Sequence, residues 1–365
     1  MESHDHGGIQ VTPEFDGLPS SQPPMSQTRY PLRNARMLVA MTESSRKRFF
    51  PLGLVDLPAE VECLLLDEIP SEGKWRTLLK EWKPDVVMGD WEMPSITAQI
   101  VNEYPGLRYV CYVTGSIRKR VDRTFIEQGG IVSNWGDSIA PSVAECALML
   151  ALMGLRQATR FSLEMHFDKG WRVAEGPAPL GLFRRKVGFY GFGSVARALL
   201  ELLAPFDVSV EAHSEGVPRA LFDGHGVKMA ESLESLFARN EVVFVLEGLN
   251  AKSKGSVNEA VLSGMQPGSI LVNVARGAII DEAALERLAL QGTVQIGLDV
   301  FATEPLPDHS PLRGLRNVAL LPHTAGPTID WYPVCGERAL HNLRTWLAGE
   351  MPTDSVSLEK YDAST

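Results

Sequence analysis

Lys186–Ser214, KVGFYGFGSVARALLELLAPFDVSVEAHS, is the stretch that decides the fold of this chain. Lys186–Tyr190 is a short apolar run of strand length, and Val208–Ala212 is a second. Between them lie Gly191-Phe-Gly193-Ser-Val-Ala196 and a helical pattern through Ala198, Leu199, Leu202 and Leu203. The order strand, glycine turn, helix, strand gives a G-x-G-x-x-G/A match the context of a dinucleotide-binding unit. Gly191 permits the tight turn, and Gly193 presents no side chain to a pyrophosphate. Ala196 lets the helix pack closely on the strand. The helix N-terminus offers N–H groups and a positive dipole end to the phosphates. An ordinary glycine turn in a βαβ unit is the competing explanation.

The 365 residues suffice for two domains, each with its own core. A composition 44% hydrophobic and 22% charged is that of a soluble globular protein. The net charge of −10 argues against nucleic acid, which requires a basic face. Arg46-Lys47-Arg48, Arg118-Lys119-Arg120 and Arg184-Arg185-Lys186 are short enough to be solvated faces. Cys63, Cys111, Cys146 and Cys335 form no C-x-x-C pair and read as reduced thiols. The N-terminus lacks an apolar signal segment, and Ala147–Leu155 is too short to span a bilayer. A cytoplasmic protein without a membrane partner is expected.

Residues 1–35 read as a disordered leader, and His4-Asp5-His6 within it carries no metal expectation. Strands are expected at Met37–Met41, Val61–Leu66, Asp85–Met88 and Leu107–Val113, with a helix over Trp75–Trp82. Ser142-Val-Ala-Glu145 reads as a capping box opening an apolar helix that runs to about Arg160. After Ser214 the alternation resumes, with strands at Val242–Leu246, Ile270–Val274, Gln295–Val300 and Val318–Leu321. Asp281 caps a helix ending at Gly292, and a final helix spans roughly Glu337–Ala348. The fold class is α/β: two Rossmann-like doubly wound parallel-sheet domains with a cleft between them.

Arg276, Glu304 and His323 each lie just past an expected strand, where open α/β sheets bind ligands. A guanidinium can hold a carboxylate bidentately and polarise a neighbouring carbonyl. An imidazole can exchange the hydroxyl proton, and a carboxylate beside it orients the ring and favours its charged form. The hydride must come from a nicotinamide.

The chain resembles the D-isomer-specific 2-hydroxyacid dehydrogenases. The resemblance rests on Ser142–Glu145, Val187–Gly193, Met265–Gly277 (MQPGSILVNVARG), Gly297–Pro307 (GLDVFATEPLP) and Leu321–Gly326 (LPHTAG), collinear over roughly the last two thirds. It implies that Arg276, Glu304 and His323 are catalytic. It also implies that Gly191, Gly193, Ser194, Val195, Ser214, Ala275 and Asp299 border the cofactor, NAD in preference to NADP. Gly115, Ser116 and Arg276 would meet a 2-keto or 2-hydroxy acid. The implied division is 36–138 as the substrate domain, 139–326 as the NAD(P)-binding domain, 327–352 as a return helix to the substrate domain and 353–365 as a tail. A homodimer is expected, with no metal. A cofactor-sensing interaction protein, as in the family's corepressor branch, is the competing function.

Several positions depart from the family pattern. Ser214 stands where NAD-preferring members carry Asp, with Glu215 beside it, and Leu246-Glu247-Gly248 replaces a His-x-Pro stretch. Glu247 is therefore an unexpected carboxylate near the cofactor. Ile117 replaces the second glycine of the substrate loop and Lys119 an acid or amide. Arg118, Lys119 and Arg120 lie either on the outer face of a following helix or beside a second anionic group of the substrate. Trp135 and Trp331-Tyr332 stand where smaller or polar residues are usual. They serve packing or the substrate.

Overall fold

The computed structural model describes residues 34–54, 57, 61–171 and 176–363; most of the expected leader, with His4-Asp5-His6, lies outside them. The first unit alternates β1 (Ala35–Ala40), α1 (Glu43–Phe49), β2 (Val61–Leu65), α2 (Glu72–Trp82), β3 (Val86–Gly89), α3 (Ala98–Glu103), β4 (Tyr109–Tyr112), α4 (Arg123–Glu127) and β5 (Ile131–Ser133). All five strands are parallel, in the order β2-β1-β3-β4-β5. Every residue of β3 and β4 is buried, as a parallel sheet covered on both faces requires.

Two helices, α5 (Ala140–Leu155) and α6 (Ala158–Phe167), lead into the second unit. Its strands are β6 (Lys186–Tyr190), β7 (Ser209–His213), β8 (Lys228–Met229), β9 (Val242–Val245), β10 (Ile270–Asn273), β11 (Gln295–Leu298) and β12 (Val318–Leu320). They are joined through α7 (Ser194–Leu203), α8 (Arg219–Gly224), α9 (Leu233–Arg239), α10 (Glu259–Leu262) and α11 (Glu282–Gln291). The parallel order β12-β11-β10-β9-β6-β7-β8 reverses direction between β6 and β9. That switch point is where a doubly wound sheet opens a crevice at its strand ends.

The expected capping box at Ser142 is corrected. Helix α5 starts at Ala140 with proline in its first turn, so Ser142 is internal. Its hydroxyl donates instead to the Ala325 carbonyl at 3.2 Å. The expected single helix to Arg160 is two helices, because Gln157 adopts a left-handed φ of 56° between them.

The last long helix, α12 (Tyr332–Leu347), begins earlier than Glu337 and returns to the first unit. Cys335, Ala339, Leu343 and Trp346 enter the core that β1, β3 and β4 share. Trp346 stacks on Tyr109 at 5.3 Å. Beyond it residues 353–363 of the expected tail pack on the first unit. Val356 N–H donates to the Val132 carbonyl at 2.8 Å, and α13 (Leu358–Ala363) buries Tyr361 with its hydroxyl on the Val121 carbonyl. Among the described residues no helix is long and apolar enough to cross a membrane.

Candidate active site

The β6–α7 junction has the shape of a phosphate cradle. Gly191 holds φ at +102°, and a Cβ there would come within 2.5 Å of the Glu247 backbone nitrogen. Only glycine fits both constraints. Gly193 is the N-cap of α7 with no side-chain cap, and nothing lies within 4 Å of where its Cβ would stand. The helix therefore opens at Ser194 and Val195 without a side-chain cap, the arrangement an anion needs at a helix N-terminus. These residues fit a dinucleotide.

At the tip of β7 the Ser214 hydroxyl donates to Glu247 Oε2 at 2.8 Å, while Oε1 accepts the Gly248 N–H at 3.1 Å. Glu247 projects from the loop after β9, next to Gly191. Glu215 turns instead to Lys252, 2.8 Å away, and both are largely exposed. The hydrogen bond and charge of Lys252 hold the Glu215 carboxyl below its usual range. A carboxylate therefore does sit at the tip of β7, but it arrives from 33 residues downstream.

Three loops at the ends of β10, β11 and β12 gather Arg276, Glu304 and His323. Gly277 packs so tightly on the next loop that a Cβ would lie 1.9 Å from the Phe301 carbonyl carbon. Phe301 N–H in turn donates to Glu304 Oε1 at 3.0 Å, and Glu304 Oε2 lies 2.7 Å from His323 Nδ1. Burial acts to raise the Glu304 pKa. The His323 and Phe301 hydrogen bonds, with the positive charges of His323 and Arg276, outweigh it and hold the carboxyl below its usual range. Arg276 is half-buried, and its Nη1 donates to the Ala275 carbonyl at 2.7 Å. Burial lowers its pKa, and Glu304 opposes the shift. A guanidinium remains charged at neutral pH. Ala275 N–H is tied to Asn273 Oδ1 at 3.0 Å, which fixes this turn.

Asp299 shapes the histidine loop. It is 1% exposed, with Oδ1 accepting the Thr324 N–H at 2.7 Å and Oδ2 the Ala325 N–H at 3.0 Å. Its carbonyl accepts the His323 N–H at 2.9 Å. His323 itself has φ +56°, a region that is costly for a side-chain-bearing residue. Three hydrogen bonds accepted by one aspartate, from His323, Thr324 and Ala325, hold this loop in place. Burial raises the Asp299 pKa against the two N–H donors. The implied contact of Asp299 with the nicotinamide side is thus joined by a structural duty that sequence inspection did not reveal.

Gly115 and Ser116, expected to meet the substrate, lie in the loop after β4, and the Gly115 carbonyl accepts Asn134 Nδ2 at 2.9 Å. Ile117 is buried in the first unit's core, 1% exposed, which accounts for its replacing a glycine. Arg118 lies over the Tyr361 ring at 5.9 Å, on the α13 side. Lys119 is exposed, with its carbonyl on Ser95 Oγ at 3.0 Å. The structure thus turns Arg118 and Lys119 toward the outer surface of the first unit. The described residues contain no group of three or more side chains arranged to hold a metal.

Residues 147–325 match the family described as D-isomer specific 2-hydroxyacid dehydrogenase, NAD binding domain. The chain is 34% identical over 268 residues to D-3-phosphoglycerate dehydrogenase of Mycobacterium bovis, covering 72% of this chain and 49% of that protein. It therefore spans about half the length of the phosphoglycerate dehydrogenases it matches. It is 29% identical to glyoxylate/hydroxypyruvate reductase B of Pectobacterium atrosepticum, over 63% of this chain and 73% of that protein. Among solved structures, the NADPH-dependent glyoxylate/hydroxypyruvate reductase of Sinorhizobium meliloti superposes with a TM-score of 0.70 at 25% identity. It covers 88% of this chain and 98% of that one.

Proposed function

We propose that this chain, which belongs to the D-isomer specific 2-hydroxyacid dehydrogenase family, interconverts 2-keto acids and D-2-hydroxy acids with a nicotinamide dinucleotide. The observation that carries the reading is the 2.7 Å pair of His323 Nδ1 and Glu304 Oε2, on loops pinned to that of Arg276. When bound, the cofactor supplies or takes the hydride, which no side chain can. Arg276 holds the substrate carboxylate and polarises the keto oxygen. With Nδ1 engaged by Glu304, His323 keeps Nε2 for the substrate. In reduction it gives that proton to the oxygen as the C=O bond becomes single, and in oxidation it takes the proton back. Glu304 orients the ring through Nδ1. Gly115 and Ser116 present backbone N–H groups to the substrate carboxylate.

Ser194 and Val195 serve the pyrophosphate, and Ala275 and Asp299 border the nicotinamide. NAD is preferred over NADP, because Glu247, braced by Ser214, places a carboxylate where the adenosine ribose hydroxyls bind in a doubly wound fold. A 2′-phosphate meets like charge there. The chain pairs as a homodimer, a reading supported by exposed Met165, Phe167, Trp171 and Phe183 around α6 and the following segment. Four cysteines without disulfides agree with a cytoplasmic setting. Following NADH absorbance with glyoxylate, hydroxypyruvate, pyruvate and bulkier 2-keto acids tests the activity. Failure to oxidise NADH with any of them would refute it.

A further inference from the structure

The loops at the C-terminal ends of the first sheet carry an aromatic patch that the proposed chemistry leaves unused. Trp91 lies two residues past β3, Trp135 two residues past β5, and Tyr332 opens α12. Trp91 meets Trp135 edge-on at 5.8 Å and 80°, and Tyr332 at 6.4 Å and 89°. Phe49 closes the base, 4.9 Å from Tyr332 and 6.2 Å from Trp91. Phe49 is 2% exposed, whereas Trp91 is 40% exposed. The patch is therefore built on the core and open at its outer side.

Two contacts join it to the proposed substrate site. The Trp135 indole lies against Gly115, where a Cβ would come within 2.6 Å of the ring. At the other end Ile139 packs against the same buried core as Trp135 and Tyr332, and its Cδ1 would be 2.9 Å from a Cβ on Gly326, three residues past His323. The patch thus borders the Gly115 loop, and the core beneath it reaches the histidine loop through Ile139. The turn that displays Trp91 is fixed by buried Asp90, whose carboxylate takes the Ser45 hydroxyl and, at 2.9 Å, the Glu92 N–H.

Arg46, Arg118 and Arg197 of this region are each engaged with other groups. Arg46 donates to the Met41 and Leu66 carbonyls, Arg118 lies over Tyr361, and Arg197 faces Asp137 at 3.9 Å. A negatively charged side group would find aromatic faces here, which carry negative quadrupole density. An apolar ring would find edges and faces at ordinary stacking distances.

We infer that the patch of Trp91, Trp135 and Tyr332 receives the side group of the substrate, and that this group is bulky and apolar, aromatic above all. The inference rests on the 2-keto acid reductase reading and names its substrate class: 2-keto acids such as phenylpyruvate in place of glyoxylate or dicarboxylates. Trp91 is the specificity-determining residue, because it is the open wall of the patch.

The test combines initial rates and equilibrium binding on the full chain with NADH. Rates are compared for phenylpyruvate, 4-methyl-2-oxopentanoate, glyoxylate and oxaloacetate. Binding is compared for the inert analogues oxamate and N-phenyloxamate. The expected kcat/KM for phenylpyruvate exceeds that for glyoxylate and oxaloacetate by at least about tenfold. In Trp91→Ala the phenylpyruvate-to-glyoxylate ratio falls about tenfold, equivalent to ~1.4 kcal/mol, and Trp91→Phe restores much of it. N-phenyloxamate binds at least about tenfold tighter than oxamate. Turnover that favours glyoxylate or oxaloacetate, or an equal loss on all substrates in Trp91→Ala, overturns the inference and leaves the reductase reading standing. Selective N-phenyloxamate binding without reduction of any keto acid supports the apolar patch and removes the reductase reading.

Discussion

Glu304 holds His323 at 2.7 Å through Oε2 and Nδ1, and its other oxygen is fixed at 3.0 Å by the Phe301 N–H. The carboxylate therefore has one geometry and one partner ring. Because its pKa lies below the usual range, Glu304 is anionic throughout the neutral and mildly acidic range. In Glu304→Gln the ring keeps an acceptor at Nδ1 but loses the anion beside it. In the wild type the contribution of the anion is lost as pH falls through the lowered Glu304 pKa, so in Glu304→Gln kcat/KM for keto-acid reduction should fall about tenfold at neutral pH and this acid-side step should vanish. A profile unchanged in Glu304→Gln would separate this pair from the proton transfer.

Asp299 acts one step behind. Asn at this position keeps one acceptor and turns an NH2 group toward the N–H of Thr324 or Ala325. Leaving one buried donor unsatisfied costs about 1–3 kcal/mol, and it releases the positive-φ histidine from part of its clamp. Asp299→Asn should lower kcat by at least about tenfold, because a small misplacement of a reacting group is costly. Its pH profile should keep the shape of the wild type. A profile altered as in Glu304→Gln would instead make Asp299 a titrating partner.

Gly277→Ala tests the contact that brings the arginine loop to the glutamate loop. The added Cβ would stand 1.9 Å from the Phe301 carbonyl carbon, and backbone cannot swing aside as a side chain does. The loop must shift, so kcat should fall by about 100-fold. NADH affinity, measured by fluorescence titration, should change far less. Equal losses in both would place the effect on folding.

The cofactor prediction turns on Glu247. Glu247→Ala should raise the KM for NADH about tenfold, or ~1.4 kcal/mol, and narrow the NADH preference over NADPH. Ser214→Ala removes only the brace and should do less. Glu215→Ala should have little effect on NADH, since Glu215 faces Lys252. A larger effect at Glu215 than at Glu247 would reverse the assignment.

Much of the second unit was legible because its signals are local. The glycine turn at 191–193, the apolar runs of β6, β9, β10 and β11, and Asp281 with Gly292 around α11 all lie within single elements. What escaped the sequence depends on distant partners. Ser142 looks like a cap, but its hydroxyl is spent on Ala325. Three-residue β5 is too short to carry a period, and Val356 and Tyr361 are held by contacts with Val132 and Val121. Glu215 is the neighbour of Ser214 in sequence, yet Glu247 is its neighbour in space. The run Arg118–Arg120 could face the substrate or the outside, and only the position of α13 decides for Arg118.

The central claim is that His323 exchanges the substrate proton during hydride transfer. Steady-state NADH oxidation with excess 2-keto acid, wild type against His323→Ala, tests it most directly when NADH affinity is measured on both proteins. The account predicts turnover in the wild type and a fall of about two to four orders of magnitude in His323→Ala, with NADH affinity nearly unchanged. A wild type that binds NADH but oxidises none with any keto acid, or a His323→Ala variant that keeps most of the rate, would contradict it.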